Sequence, residues 1–146
     1  MEYVMNNLLS IIVCAVFAML AVWHFVMAFS DLSGESAAMP SVEGKPLFKP
    51  SRAATIAVGV VLILFGLLVA TTSGMLQIGL PKMLLVWLSY ALALGLLARA
   101  IGDFKYVGFF KRVRGSRFAS MDTLVYSPLC LLLATGVASV AFQQSA

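Results

Sequence analysis

The stretch AATIAVGVVLILFGLLVATTS, residues 53–73, decides the fold of this chain. No Asp, Glu, Lys or Arg interrupts it. An α-helix rises about 1.5 Å per residue, so about 20 residues cross the roughly 30 Å hydrocarbon core of a bilayer. Lipid offers the backbone no hydrogen-bond partner, whereas a helix satisfies its own amides. The stretch therefore predicts a transmembrane helix.

Three further runs share this length and apolar character, and interior Asp, Glu and Lys are absent from all of them. Of the 146 residues, 62% are hydrophobic and 11% are charged. A soluble domain carries roughly a quarter charged residues. The pattern predicts an all-α fold, a single integral membrane domain over 1–146, built as an up-down bundle of four transmembrane helices. The predicted helices are Asn7–Phe29, Ala53–Ser73, Met83–Ile101 and Thr123–Phe142.

Lysine and arginine residues are concentrated in alternate connections between these runs. The loop 30–52 contains three and the loop 102–122 contains five, whereas the second connection contains only Lys82. Short cationic loops stay in the cytoplasm. We therefore expect both termini on the outer face and both basic loops in the cytoplasm. The net charge of +4 follows from this topology rather than from nucleic-acid binding, since no nucleic-acid module is present.

The third loop mixes cations with aromatic rings in FKYVGFFKRVR, residues 104–114. Rings sit well at headgroup depth, and each cation attracts anionic phospholipids by about 1 kcal/mol. The loop is therefore predicted to lie on the membrane surface. An alternative is that it docks an acidic partner, which would make the protein an accessory subunit. The cations assigned to this surface are Lys105, Lys111, Arg112, Arg114 and Arg117.

The fourth run begins after a residue that can cap a helix. Asp122 precedes Thr123 and can accept the first backbone amides of the helix. Pro128 follows in the second turn, where it cannot donate to the carbonyl of Leu124. We expect a kinked helix that starts near Asp122.

Ionisable and polar side chains lie near the inner ends of the predicted helices. Arg99 and Asp103 are one turn apart and can pair. Intramembrane ionisable groups usually face the bundle interior or a wet cavity. We predict a polar pocket open to the cytoplasm, with Arg99 at its mouth. The candidate ligand-binding residues are His24, Arg99, Asp103, Asp122, Tyr126 and Ser127.

A plainer interpretation of the same residues is available. His24 follows Trp23 and suits an interfacial belt, Asp122 can be only a cap, and Arg99 can extend its charge to the headgroups. Three function classes stay open: a protein that binds a small ligand or lipid headgroup or passes a solute, an accessory subunit, and a small membrane enzyme. The enzyme would use His24 as a base near Asp122 or Tyr126.

No motif indicates a cofactor. The chain has no HExxH, no Cys/His metal set and no glycine-rich phosphate loop. His24 is the only histidine, which leaves a haem without support. The sequence therefore points to no metal and to no reaction class.

Small residues recur every four positions on three of the predicted helices. Such spacing lets helix backbones approach closely in lipid. We expect these stripes to face other helices, or a second copy of the chain in a homo-oligomer or membrane complex. They are Ala53 and Ala57, Ala91 and Gly95, and Cys130, Ala134 and Ala138.

The run RAIGDFKYVGFFKRVRGSRFASMDTLVYSPLCLLLATG, residues 99–136, resembles the small bacterial membrane proteins grouped as domain of unknown function family 3995. The resemblance rests on the Arg99–Asp103 region, the glycine–aromatic–basic loop, FASMDTLVYSPLC and the final apolar helix. It implies a compact four-span bundle in the bacterial inner membrane, with Asp122, Tyr126 and Ser127 among the characteristic positions. The family implies no reaction.

Overall fold

The computed structural model describes residues 2–30, 41–42, 45–46, 51–102, 107–112, 114 and 116–145. The helices in these ranges are α1 (Glu2–Phe29), α2 (Arg52–Thr72), α3 (Lys82–Ile101), α4 (Arg117–Met121) and α5 (Ser127–Ser145). A π-helical turn, Asp122–Tyr126, joins α4 to α5. Two short antiparallel strands, β1 (Ser41–Val42) and β2 (Lys45–Pro46), pair in the first loop.

Four helical segments are long and apolar enough to cross a membrane. They confirm the predicted all-α fold with four spanning helices. The last of them combines α4, the π-helical turn and α5 in one continuous helix. The four segments are Asn7–Phe29, Arg52–Thr72, Lys82–Ile101 and Arg117–Ser145.

Side-chain caps fix where two of the spans begin. The Ser51 hydroxyl accepts a hydrogen bond from the Ala54 amide at 3.1 Å and caps the start of α2. The prediction that Asp122 caps a helix starting at Thr123 is wrong. Ser116 is the cap, because its hydroxyl accepts the Ala119 amide at 3.0 Å and the helix starts at Arg117. The Asp122 carboxylate is thereby left for contacts inside the protein.

A π-helical turn directly precedes α5, near Pro128, where the sequence predicts a kink. Proline has no amide hydrogen to donate back to Leu124. In the preceding turn, the Ser127 amide instead donates to the Asp122 carbonyl, five residues back. A π-helical turn of this kind is rare and occurs frequently at functional sites.

The bundle consists of two tightly packed helix pairs. α1 packs along α2 and α3 packs along α5, while α1–α5 and α2–α3 contacts join the pairs. Phe17, Val69 and Val137 are completely buried in the shared core. Gly136 lets α1 and α5 approach, because a Cβ there would lie 2.8 Å from Val13. Val13 and Leu133 complete an apolar interior.

The predicted small-residue stripes face other helices on α5 alone. Ala134 is buried, but Ala57, Ala91 and Gly95 are exposed. Among the described residues, no atom outside the adjacent turns of α3 lies within 4 Å of the position that a Cβ on Gly95 would take. The stripes on α2 and α3 therefore do not hold this bundle together, and contact with a second copy stays a prediction.

Candidate functional site

The Asp122 carboxylate is the centre of a charged cluster at one end of the bundle. It is completely buried and accepts four hydrogen bonds. Arg99 Nη2 donates to Oδ1 at 2.6 Å. Oδ2 accepts from the Gly108 amide at 2.8 Å, Lys111 Nζ at 3.1 Å and Ser127 Oγ at 3.3 Å. The carboxylate thus ties α3, the third loop and the start of α5 together.

Lys111 is buried in this cluster, with 3% of its surface exposed. Its ammonium group donates to the Gly108 carbonyl at 3.1 Å, to Asp122 Oδ2, and to Thr123 Oγ1 at 2.5 Å. An ammonium group has three hydrogens, so these contacts use all of them. The assignment of Lys111 to the membrane-surface cations therefore needs correction, because the Asp122 carboxylate and two neutral oxygens hold it inside. Arg112, Arg114 and Arg117 are exposed.

The conformation of Gly108 directs its amide to Asp122. Its φ is +92°, and a Cβ there would lie 2.8 Å from the Gly102 Cα. The following amides close the end of α3, with Phe109 donating to Ala100 at 2.9 Å and Phe110 donating to Ile101 at 3.2 Å. Only glycine fits both this backbone angle and this close approach without strain. The glycine between aromatic residues therefore builds the capped end of α3 and one wall of the cluster.

Among the described residues, Arg99 brings a second cation to the Asp122 carboxylate. It lies in the last turn of α3, and its side chain is 32% exposed. Its Nη1 atom is buried and has no hydrogen-bond partner among the residues that the structure describes. Arg99 and Lys111 against Asp122 give a sum of +1 for these three side chains. Buried charges are costly unless paired, so the arrangement suits an additional anion.

An open cleft of about 330 Å³ lies against the lysine side of the cluster. Lys111 and Thr123 connect it to Asp122. Its lining is amphipathic, with both charged and apolar side chains. The polar side chains are Lys111, Arg114, Ser120 and Thr123, and the large apolar ones are Phe109 and Leu124.

The structure brings together Arg99, Asp122 and Ser127 from the predicted site. Tyr126 packs its ring against Phe118 at a centroid distance of 6.1 Å. The His24 Nδ1–H donates to the Leu20 carbonyl in its own helix at 2.7 Å, and His24 is not among the four donors to Asp122. Asp103 and Lys105 lie outside the described residues.

Sequence reasoning missed three participants: Gly108, Lys111 and Thr123. Lys111 stands beside Arg112 in the basic loop, and nothing in the local pattern separates a buried cation from an exposed one. The available signal was Asp122 itself. A carboxylate within a helix that spans the membrane needs a partner, and the cations of the preceding loop are the nearest in sequence.

The hydrogen bonds of Lys111 and Thr123 do not suit them to act as a catalytic base and nucleophile. Thr123 Oγ1 and Lys111 Nζ are adjacent, as in hydroxyl nucleophiles activated by lysine. However, all three Nζ contacts are to oxygen acceptors, and the Thr123 hydroxyl donates to the Ala119 carbonyl at 3.1 Å. In this arrangement lysine acts as a donor rather than as a base. Among the described residues, no group of three or more His, Cys, Asp and Glu side chains could hold a metal ion.

Fold and site together define a multi-pass helical membrane protein with an ionic cluster at one end of its bundle. The family model described as "Protein of unknown function (DUF3995)" matches residues 17–137, which include the whole cluster. The chain belongs to this family, as the resemblance predicted. Comparison with curated proteins and with solved structures found no match.

Proposed function

We propose that this protein binds an anionic group of a small ligand or lipid headgroup at the Arg99–Asp122–Lys111 cluster, without transforming it. The observation that carries the proposal is the surplus positive charge beside an open cleft. A purely structural ion pair is neutral, whereas the two cations here share one carboxylate. An anion in the cleft would bring the sum to zero, and its desolvated contacts would be stronger than in water.

The interior of the bundle favours binding over passage of a solute. Along α3, Ala93 lies between the hydroxyl of Ser89 and the guanidinium of Arg99, and it is buried. Phe17 and Leu133 belong to the same apolar core. In the described part of the bundle, these side chains separate the charged cluster from the hydroxyl groups further along. A hydrated solute would need polar groups at this level.

The proposal includes an orientation. The two basic loops, 30–52 and 102–122, would lie in the cytoplasm of a bacterium, with both termini across the inner membrane. The distribution of lysine and arginine supports this arrangement. The exposed Arg112, Arg114 and Arg117 would then lie beside the anionic headgroups of the inner leaflet. Labelling of cysteines introduced at 117 and 145 from either side of the membrane would test it.

The binding test removes the surplus charge and keeps one ion pair. Arg99→Gln leaves Lys111 paired with Asp122, so the cluster becomes neutral. Two pairs of probes are titrated into purified protein: phosphatidylglycerol against phosphatidylcholine, and glycerol phosphate against glycerol. We expect a charged probe to raise the unfolding temperature of the native protein by about 5 °C at saturation. Arg99→Gln should lose this response.

Lys82→Gln is the matched control, since it removes one exposed cation at the start of α3, away from the cluster. It should respond as the native protein does. Equal loss in both variants would attribute the response to overall charge and refute a specific site. The absence of any difference between charged and neutral probes would refute anion binding altogether.

A further inference from the structure

The cleft combines two kinds of wall, and this narrows the class of ligand. Its polar side holds Lys111, Arg114, Ser120 and Thr123. Arg114 and Ser120 are exposed and line the cleft. Lys111 has committed its three hydrogens, so it supplies charge rather than a free donor. An arginine and a hydroxyl over a fixed positive charge are the groups that bind a phosphate.

The apolar side of the cleft continues along the outside of the last helix. Leu124 lines the cleft and is 74% exposed. Leu132, about two turns further along, is 68% exposed. Both residues belong to the segment Arg117–Ser145, which is apolar enough to span a membrane. The apolar wall is therefore part of a surface that runs from the charged cleft towards the hydrocarbon core.

A soluble anion would not need an apolar surface beside its binding site. A free phosphate or a small phosphorylated solute would gain nothing from exposed leucines outside the cleft. An amphiphile would place its phosphate against Arg114 and Ser120 and its acyl chain along Leu124 and Leu132. It would reach the cleft by lateral diffusion within the leaflet, without leaving the membrane.

We infer that the ligand is an anionic phospholipid, with its phosphate in the cleft and one acyl chain on the Leu124–Leu132 face. This inference rests on the proposed function, because it names the source of the bound anion. Binding in the cleft can be told apart from general electrostatic attraction of lipids to the basic loop. The exposed Arg117 lies at the start of α4 but does not line the cleft, so it provides a cation outside the site.

The experiment measures lipid binding to the full chain in detergent by native mass spectrometry. The probes are phosphatidylglycerol, phosphatidylcholine and water-soluble glycerol phosphate. We expect phosphatidylglycerol to bind about fivefold more tightly than phosphatidylcholine, and Arg114→Gln to remove most of that preference. Arg117→Gln should keep it. Leu124→Ala should weaken phosphatidylglycerol binding about threefold, whereas Leu94→Ala, at another well-exposed leucine, on α3, should not.

The outcomes distinguish the phospholipid inference from the proposed anion binding on which it rests. If glycerol phosphate binds as tightly as phosphatidylglycerol, and Leu124→Ala changes neither, the site takes a soluble anion. The proposed function would then stand, and the lipid assignment would fall. If Arg114→Gln and Arg117→Gln reduce the preference equally, surface charge alone attracts the lipid, and the cleft is not the site. If no charged probe is preferred over its neutral counterpart, both proposals fail.

Discussion

The two ends of the bundle bury different kinds of polar groups between neighbouring helices. Where α2 leads into α3, the buried polar groups are hydroxyls. The Thr72 and Ser89 oxygens lie 2.9 Å apart, and the Thr72 hydroxyl also lies 3.4 Å from the Leu85 carbonyl. Where α3 leads into the last span, the buried polar groups are the charges of Arg99, Lys111 and Asp122. Both arrangements join helices that follow one another in the chain.

The difference teaches that joining the helices does not require charge. Hydroxyl groups satisfy one another at a small desolvation cost, whereas burying ions costs several kcal/mol each before their attraction is counted. A bundle that needed only a connection could use the hydroxyl solution twice. Among the described residues of the ionic end, two cations, Arg99 and Lys111, share the single carboxylate of Asp122, and the proposed anion site rests on this arrangement.

The largest expected effect comes from removing the carboxylate that holds the ionic end together. Asp122→Ala leaves Lys111 and Arg99 without a counter-charge. We expect a loss of about 3–5 kcal/mol in the free energy of unfolding, because breaking a buried pair leaves an uncompensated charge. Thermal or denaturant unfolding in detergent measures the loss. The hydroxyl end should stay intact, so helix content before unfolding should be unchanged.

The double variant Asp122→Ala with Lys111→Met shows whether charge or shape is responsible. Met occupies a similar volume and needs no partner, so we expect it to restore a substantial part of the lost stability. If the double variant is as unstable as the two single losses added together, the ionic end contributes through packing alone, and the contrast between the ends is wrong.

The four spans could be predicted from the sequence because hydrocarbon imposes its constraint locally. Residues 53–73 contain no charge, and no tertiary contact is needed to infer a helix from them. The start of the last span could not be placed so well. Both Ser116 and Asp122 are residue types that cap helices well. The helix begins after Ser116, because the Asp122 carboxylate accepts hydrogen bonds from Gly108 and Lys111 of the third loop instead.

The candidate site was predictable in part for the same reason. Asp122, Arg99 and Ser127 were identified by their polarity near the end of an apolar run. The burial of Lys111 depends on the path of the loop, which turns at Gly108 against Gly102. That close approach joins residues that are neighbours only in space. One of the chain's basic residues is thus buried by a contact that leaves no periodic signal in the sequence.

The second prediction concerns the turn that aims an amide at Asp122. Gly108→Ala places a Cβ 2.8 Å from the Gly102 Cα at a φ of +92°. We expect a loss of about 2–3 kcal/mol, which combines left-handed strain with the displaced hydrogen bond. Chemical denaturation in detergent checks it.

Gly79→Ala is the control for backbone strain. Its φ is +73°, but apart from its chain neighbours no atom of the described residues lies within 4 Å of the added Cβ. It should cost about 1 kcal/mol, from its conformation alone. Equal losses at both glycines would mean that the close approach to Gly102 contributes nothing to the ionic end.

The third prediction measures the hydroxyl end by a double-mutant cycle. Thr72→Val and Ser89→Ala remove the two hydroxyls singly and together. We expect a coupling free energy of about 0.6 kcal/mol, since interhelical hydrogen bonds in membrane proteins are individually weak. The same unfolding assay gives all four values. A coupling as large as the loss from Asp122→Ala would show that hydroxyls carry as much stability as the ion cluster.

The smallest effect is expected on the outer face of α3, where a second copy of the chain would alter the comparison. Gly95 is exposed, and within the described ranges no other helix or loop comes within 4 Å of an added Cβ. In a monomer, Gly95→Ala should therefore change stability by no more than the roughly 0.5 kcal/mol that helix propensity provides, and in the stabilising direction.

Gly136→Ala is the contrasting variant, because its Cβ would lie 2.8 Å from Val13 inside the bundle. Light scattering in detergent, together with unfolding, separates the cases. A loss of stability with Gly95→Ala that depends on protein concentration would mean that copies meet along the Ala91–Gly95 face. Part of the stability attributed to the two ends would then belong to that interface.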